Sequence, residues 1–274
     1  MIFSEKIKVF LPKKILIFAG YIKLFLRYIY FSCYRLIKKP RPDFLAVGES
    51  TEYFPSPYWT LVDLKESDIN VDFEKTNYKF NSNLKNIYSS HCIEHLSDKA
   101  INYLFKEVFS NMQDNAVFRV ETPDAEKIIN DYKLKMHHDY LYEIQEENIK
   151  NLVQKRNMKN IYGELHIAML GLISCYIDQI HIPVICSREK FEDKLLNLSV
   201  DEFCKWAISL QSKEELLTHG HINFWYFERL KKYLLNAGFS KVQRCDTGQS
   251  FYDFDLSLER FHRRNYSLIV EAVR

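Results

Sequence analysis

Glycine is scarce in this chain. Its 274 residues hold 7, where average usage of about 7% would give roughly 19. A fold built on many glycine-rich turns is therefore disfavoured. Paired cysteine motifs are missing too. The six cysteines (33, 92, 175, 186, 204, 245) are scattered with no CxxC, so they read as reduced, buried thiols and not as a disulfide framework. Internal repeats and low-complexity segments are absent. Excess charge of one sign is also missing, since the net charge is only +2. That excludes a uniformly basic nucleic-acid binder. What is present is 47% apolar, 27% charged and 15% aromatic residues, a globular composition able to bury a sizeable core.

The near-zero charge hides a split. Residues 1–42 hold 10 Lys/Arg and 1 acid, a balance of +9, and residues 43–274 carry −7. Lys13 and Lys14 precede an apolar run from Ile15 to Ile22, which Lys23 and Arg27 interrupt before Tyr28-Ile29-Tyr30-Phe31. No small-residue cleavage site follows, which argues against a secretory signal. A spanning helix would place Lys23 and Arg27 near mid-bilayer, at about 2.5–3.5 kcal/mol each. An amphipathic helix lying in the interface avoids that cost, because its basic side chains reach anionic headgroups. Residues 1–42 are therefore expected as a basic amphipathic helix. Residues 1–39 would meet an anionic membrane surface on the cytoplasmic face of the inner membrane. A helix packed on the protein body and a true span remain the alternatives.

Pro40 and Pro42 end that helix and open a new unit over 43–274. Short apolar runs predict strands at 44–47, 59–63, 69–73, 84–90 and 116–120. Ser97-Asp98 caps a helix with apolar residues at helical spacing through Phe109. Residues 125–215 are charged, helical in pattern and hold one proline, and read as a helical insertion. A helix over 227–237, stopped by Gly238, then precedes strands at 241–245 and 266–273. Strands alternating with helices imply a mainly parallel sheet covered on both faces.

Such sheets bind ligands at the carboxyl ends of their strands, near the switch point. Gly48 ends the first strand, where backbone can approach a ligand closely. Asp63 ends the second, where a carboxylate can accept both hydroxyls of a ribose. Asp72, with Asp68, lies at the third and could receive an adenine amine. Ser89, Ser90 and His91 end the fourth, beside a reacting centre.

Taken together these segments resemble the small class I S-adenosylmethionine-dependent methyltransferases, in the type 11-like branch of bacterial surface-polysaccharide clusters. Leu45-Ala46-Val47-Gly48 and Trp59-Thr60-Leu61-Val62-Asp63 resemble its first two strands. Asp68 to Asp72 resembles the third. Tyr88-Ser89-Ser90-His91-Cys92-Ile93-Glu94-His95-Leu96 is the most specific match. Phe118 to Asp124, Leu230 to Phe239 and Ser267 to Ala272 resemble the later elements. The likeness covers about 43–124 and 218–274, roughly half the chain.

It implies an α/β fold: a Rossmann-like, mostly parallel seven-stranded sheet with an antiparallel last strand. A helical insertion and the N-terminal amphipathic helix complete it. It implies S-adenosylmethionine as cofactor, held by Gly48, Glu49, Ser50, Asp63, Asp72 and Ser90. Methyl would pass to an acceptor of a cell-surface glycan: a glycan, nucleotide-sugar or lipid-linked precursor. His91 would face the transferred methyl, and His221 is a candidate base. Two departures stand out. The family's Gly-x-Gly reads Gly48-Glu49-Ser50, and the usual acid two residues before Gly48 is Ala46. Glu49 is the candidate substitute for that acid. A methyltransferase-like binding protein without catalysis is the alternative reading.

His91-Cys92-Ile93-Glu94-His95 also fits H-x-x-E-H, a zinc-site pattern. His91 precedes the helix, however, and no third ligand is evident in the sequence, so no metal is expected. Arg260, Arg263 and Arg264 with His262 form a basic run that could meet an anionic acceptor.

Overall fold

A computed structural model describes residues 40–49, 58–81, 83–134, 165–174, 186–211, 220–258 and 266–274, with isolated positions at 29, 33 and 216. Strands β1 (Arg41–Val47), β2 (Trp59–Asp63), β3 (Ile69–Asn70) and β4 (Leu84–Ser90) come first. Helix α1 (Asp98–Asn111) and strand β5 (Met112–Pro123) follow. Helices α2 (Ala125–Lys133), α3 (Leu165–Ser174), α4 (Arg188–Asn197) and α5 (Val200–Ser209) fall within the segment expected as an insertion. Helix α6 (Phe227–Ala237), β6 (Lys241–Cys245) and β7 (Ser267–Val273) close the fold.

The sheet order is β3-β2-β1-β4-β5-β7-β6. Strands β1 to β5 run parallel, and β7 runs antiparallel to both β5 and β6. The expected Rossmann-like, mostly parallel seven-stranded sheet is thus observed. The chain reverses its direction of strand addition between β1 and β4, the switch point at whose strand carboxyl ends sheets of this kind bind ligands.

Side-chain alternation buries both faces of the sheet. Leu45, Val47, Ile87, Phe118 and Val120 point to one side, against Ile101, Leu104, Phe105 and Val108 of α1 and Leu230 and Leu234 of α6. Phe44, Ala46, Tyr88 and Val117 point to the other, joined by Trp59, Leu61 and Phe254. The insertion helices build their own core from Ile128, Ile129, Met169, Leu172, Ile173, Phe191 and Phe203, with Phe224.

Some element bounds differ from the pattern. β1 begins at Arg41, so Arg41 and Pro42 belong to the sheet and not to the N-terminal segment. Arg41 pairs with Asp43 at 2.6 Å and lies over the Phe44 ring, which ties the strand entry down. β3 is two residues long, not five, because the chain turns at Asp72, whose carboxylate accepts from the Glu74 N–H. β5 is longer than the apolar run, since pairing with β4 and β7 carries it through Glu121 and Thr122. Residues 1–39 lie outside the described residues except Ile29 and Cys33, both helical and exposed. No helix among the described residues is long and apolar enough to cross a membrane.

Candidate functional site

The carboxyl ends of β1, β2 and β4 converge as the pattern anticipates. Gly48 takes φ +80°, and its N–H donates to the Val62 carbonyl at 2.8 Å. A Cβ at this position would stand 2.3 Å from Cys92 Cβ. The open face of this glycine is therefore filled by the Cys92 side chain, and that close approach is what demands glycine here. Glu49 follows, 2% exposed. Its charge bears on Tyr88 and Cys92, both of which burial already pushes up. Ser50 lies outside the described residues.

Asp63 ends β2 with its carboxyl raised above the usual aspartate range. Burial is the main cause, opposed by the Leu64 N–H and by the charges of His95 and Lys65. Oδ1 accepts from the Leu64 N–H at 2.7 Å. Such a desolvated carboxylate gains from hydroxyl donors, and it fits a ribose diol. Asp72 is placed differently. Oδ1 accepts from Glu74 N–H and Oδ2 from Lys75 Nζ at 2.7 Å, and the lysine holds its carboxyl low. Both oxygens already serve its own turn. Asp68 Oδ2 accepts from the Leu61 N–H, bracing β2.

β4 ends in a buried polar network. Tyr88 and Ser90 share one sheet face with Glu121 of β5, and both hydroxyls reach Glu121 Oε2, at 2.6 and 3.5 Å. His91 breaks the strand at φ +48°, a left-handed conformation costly for a side chain. Its N–H donates to the Glu121 carbonyl. Its ring spans Ser267 Oγ, 3.1 Å from Nε2, and Glu94 Oε1, 3.2 Å from Nδ1. Glu94 sits in a 3-10 turn, Ile93–His95. Burial pushes its carboxyl up, but the His91 contact and the charges of His91, His95 and His221 win and hold it at about 2. Oε2 accepts from Thr122 Oγ1 at 3.0 Å.

His221 comes from far along the chain and meets this turn. Its ring packs edge-on against His95, with centroids 4.8 Å apart. Burial, with the His95 charge, lowers it to about 3, so the imidazole is neutral near pH 7 and holds a proton weakly. That weakens a role as base toward a hydroxyl. The adjoining cavity is lined by Glu94, Pro123, Ile128, Leu172, Ile173, His221 and Phe224. Trp225 is fully buried and packs on Tyr233. His219 and the basic run around Arg260 lie outside the described residues.

Sequence reasoning singled out Gly48, Asp63, Ser90 and His91, and the structure brings their strand ends together. It did not find Tyr88, Glu121, Thr122 and Ser267 as a network, because register sets those contacts and no local pattern signals it. The joining of His221 to Glu94 and His95 was equally hidden.

No protein-family model matches the sequence, and no curated protein matches it. Solved structures resemble it in shape. The S-adenosylmethionine-dependent methyltransferase SibL, in its apo form, is 7% identical, with TM-score 0.37; the match covers 84% of this chain and 50% of that one. Human N-acetylserotonin methyltransferase in complex with SAM is 9% identical, with TM-score 0.36, over 84% and 47%. The chain thus spans about half the length of these two. A SAM-dependent methyltransferase from Archaeoglobus fulgidus is 13% identical, with TM-score 0.39, over 93% and 94%. At scores this low the fold rests on the observed strand order itself.

Proposed function

We propose that this chain is an S-adenosylmethionine-dependent methyltransferase acting on an acceptor of a cell-surface glycan or its lipid-linked precursor. The observation that carries it is the placement of Gly48, Asp63 and Ser90-His91 at the ends of β1, β2 and β4, around the switch point of a sheet ordered 3-2-1-4-5-7-6. The bound cofactor would supply a methyl group on a sulfonium, open to in-line displacement. The chain then mainly has to position groups. Gly48 and Glu49 border the methionine part. Asp63 would receive the ribose hydroxyls, and Asp72, whose carboxylate also holds its own turn, would stand on the adenine side. Ser90 and His91 form the wall facing the acceptor. The left-handed backbone at His91 and its contacts to Ser267 and Glu94 hold that ring in one orientation.

The glycan reading rests on the resemblance of the strand segments and on the basic N-terminal segment, which suits a lipid-linked substrate at an anionic membrane. Titration calorimetry with S-adenosylhomocysteine tests the cofactor. Heat of binding is expected from the intact chain and none from Asp63→Ala; no heat from the intact chain refutes the reading. Deleting residues 1–39 is expected to move the protein from the membrane to the soluble fraction, and unchanged fractionation refutes anchoring.

One observation favours a second reading, a binding protein of this fold without catalysis. Cys92 fills the space over Gly48, and Ala46 stands where the family has an acid. Binding of S-adenosylhomocysteine without methyl transfer to any lipid-linked or nucleotide-sugar acceptor would select it.

A further inference from the structure

We propose that Glu94, His95 and His221 form a binding site for a divalent transition-metal ion of the zinc class. One candidate ligand atom from each lies within 4.8 Å of the other two. Two imidazoles and a carboxylate are a donor set suited to zinc, with three protein ligands and one open position.

The histidines are already prepared as ligands. His95 Nδ1 lies 3.2 Å from the Gly220 carbonyl, and His221 Nδ1 lies 3.0 Å from the Ile173 carbonyl. A carbonyl only accepts, so each Nδ1 carries its hydrogen and each Nε2 keeps a lone pair. This is how outer-sphere partners orient metal-ligating histidines. Glu94 contributes the third observation. Its Oε2 is taken by Thr122, whereas Oε1 is buried and makes no well-directed hydrogen bond, although His91 Nδ1 is 3.2 Å away. An ion would give that buried oxygen a better-directed partner beside the His91 imidazole.

The three ligands are held on a rigid frame. Ile222 and Asn223 N–H groups both donate to the Glu94 carbonyl, and Asn223 Nδ2 donates to the Leu96 carbonyl. The His221 N–H donates to Ser174 of α3, and its carbonyl accepts from Gln211. Bonds of about 2.0–2.2 Å to one ion would draw the ligand atoms to roughly 3.3–3.6 Å apart, a closure of about 1 Å. Glu94 and His221 line the cavity with Ile128, Leu172, Ile173 and Phe224. The open position therefore takes a water in that cavity. His91, the first residue of the H-x-x-E-H pattern, is not among the ligands; His221 is the third ligand that the sequence did not reveal.

The test uses the full-length, untagged chain stripped with a chelator and needs no methyl donor, so it stands apart from the methyltransferase reading. Equilibrium dialysis against zinc with elemental analysis is expected to give about one ion per chain. Cobalt is expected to give the strong visible absorption of a low-coordinate site. Glu94→Gln, which keeps the side chain's shape, and His221→Gln are each expected to weaken binding at least tenfold, with far-UV circular dichroism unchanged. Less than about a tenth of an equivalent bound to the intact chain, or only the weak absorption of octahedral cobalt, overturns the proposal on the intact protein alone. Binding by Glu94→Gln equal to that of the intact chain also overturns it.

Discussion

Asp63 is the residue proposed to receive the ribose hydroxyls, and its environment makes a signed prediction. Burial holds its carboxyl above the usual range, so the folded state is favoured most below the unfolded pKa of about 3.9. That contribution is lost as pH rises through the raised folded value. Hydroxyl donors from a ribose favour the ionised form. Affinity for S-adenosylhomocysteine should therefore fall as pH drops through the raised pKa, at a higher pH than an ordinary aspartate would give. Calorimetry across pH checks this, and Asp63→Asn should flatten the profile. Gly48 makes a structural prediction. Gly48→Ala combines a left-handed backbone with a 2.3 Å clash on Cys92, and should cost about 2–4 kcal/mol in denaturant unfolding. In that background Cys92→Gly should recover part of the loss. Strict additivity of the two changes would show that the Cys92 contact is not the cause.

Helix α1 connects β4 to β5, and its start is fixed by local chemistry. Ser97 Oγ accepts from the Ala100 N–H and donates to Glu74, which ties the helix to the chain beyond β3. Ser97→Ala should lower stability by about 1 kcal/mol. Helix α6 ends with Gly238 at φ +118°, where a Cβ would meet the Phe109 ring of α1 at 2.6 Å. Gly238→Ala should cost about 1–3 kcal/mol, because both the left-handed cap and the α1–α6 contact suffer. Thermal melts of the two variants separate these magnitudes. Asp124 follows β5 and opens α2: its carboxylate accepts from the Lys127 N–H and pairs with Arg244 of β6. Its work is to hold β5, α2 and β6 together.

Across the whole molecule, a fully buried ion pair joins the sheet to the segment after β6. Arg119 of β5 meets Glu271 of β7 at 2.7 Å, and both side chains have no exposed surface. Arg119 also donates to the Gln249 carbonyl, and Glu271 accepts from the Phe251 N–H. Glu271→Leu leaves a buried guanidinium without its carboxylate and should cost about 3–5 kcal/mol. Adding Arg119→Met should restore most of that, measured by denaturant midpoints.

The strand and helix order was legible because side-chain period and capping residues are local properties: alternation along 44–47, Ser97 before a helix, Gly238 after one. Candidate positions at strand ends were legible for the same reason, since a parallel sheet exposes its carboxyl ends together. That Lys75 folds back on Asp72 was not legible, because spacing alone does not show which side chain meets a carboxylate. The buried Tyr88–Glu121–His91–Ser267 network and the meeting of His221 with Glu94 and His95 depend on strand register and on a segment packed from far along the chain. No local pattern encodes those distances. The sequence by itself determined the order of strands and helices and which residues stand at the strand ends. Only the tertiary structure decided which polar side chains share a buried space there, because burial and long-range packing, not spacing along the chain, set their partners and their charge.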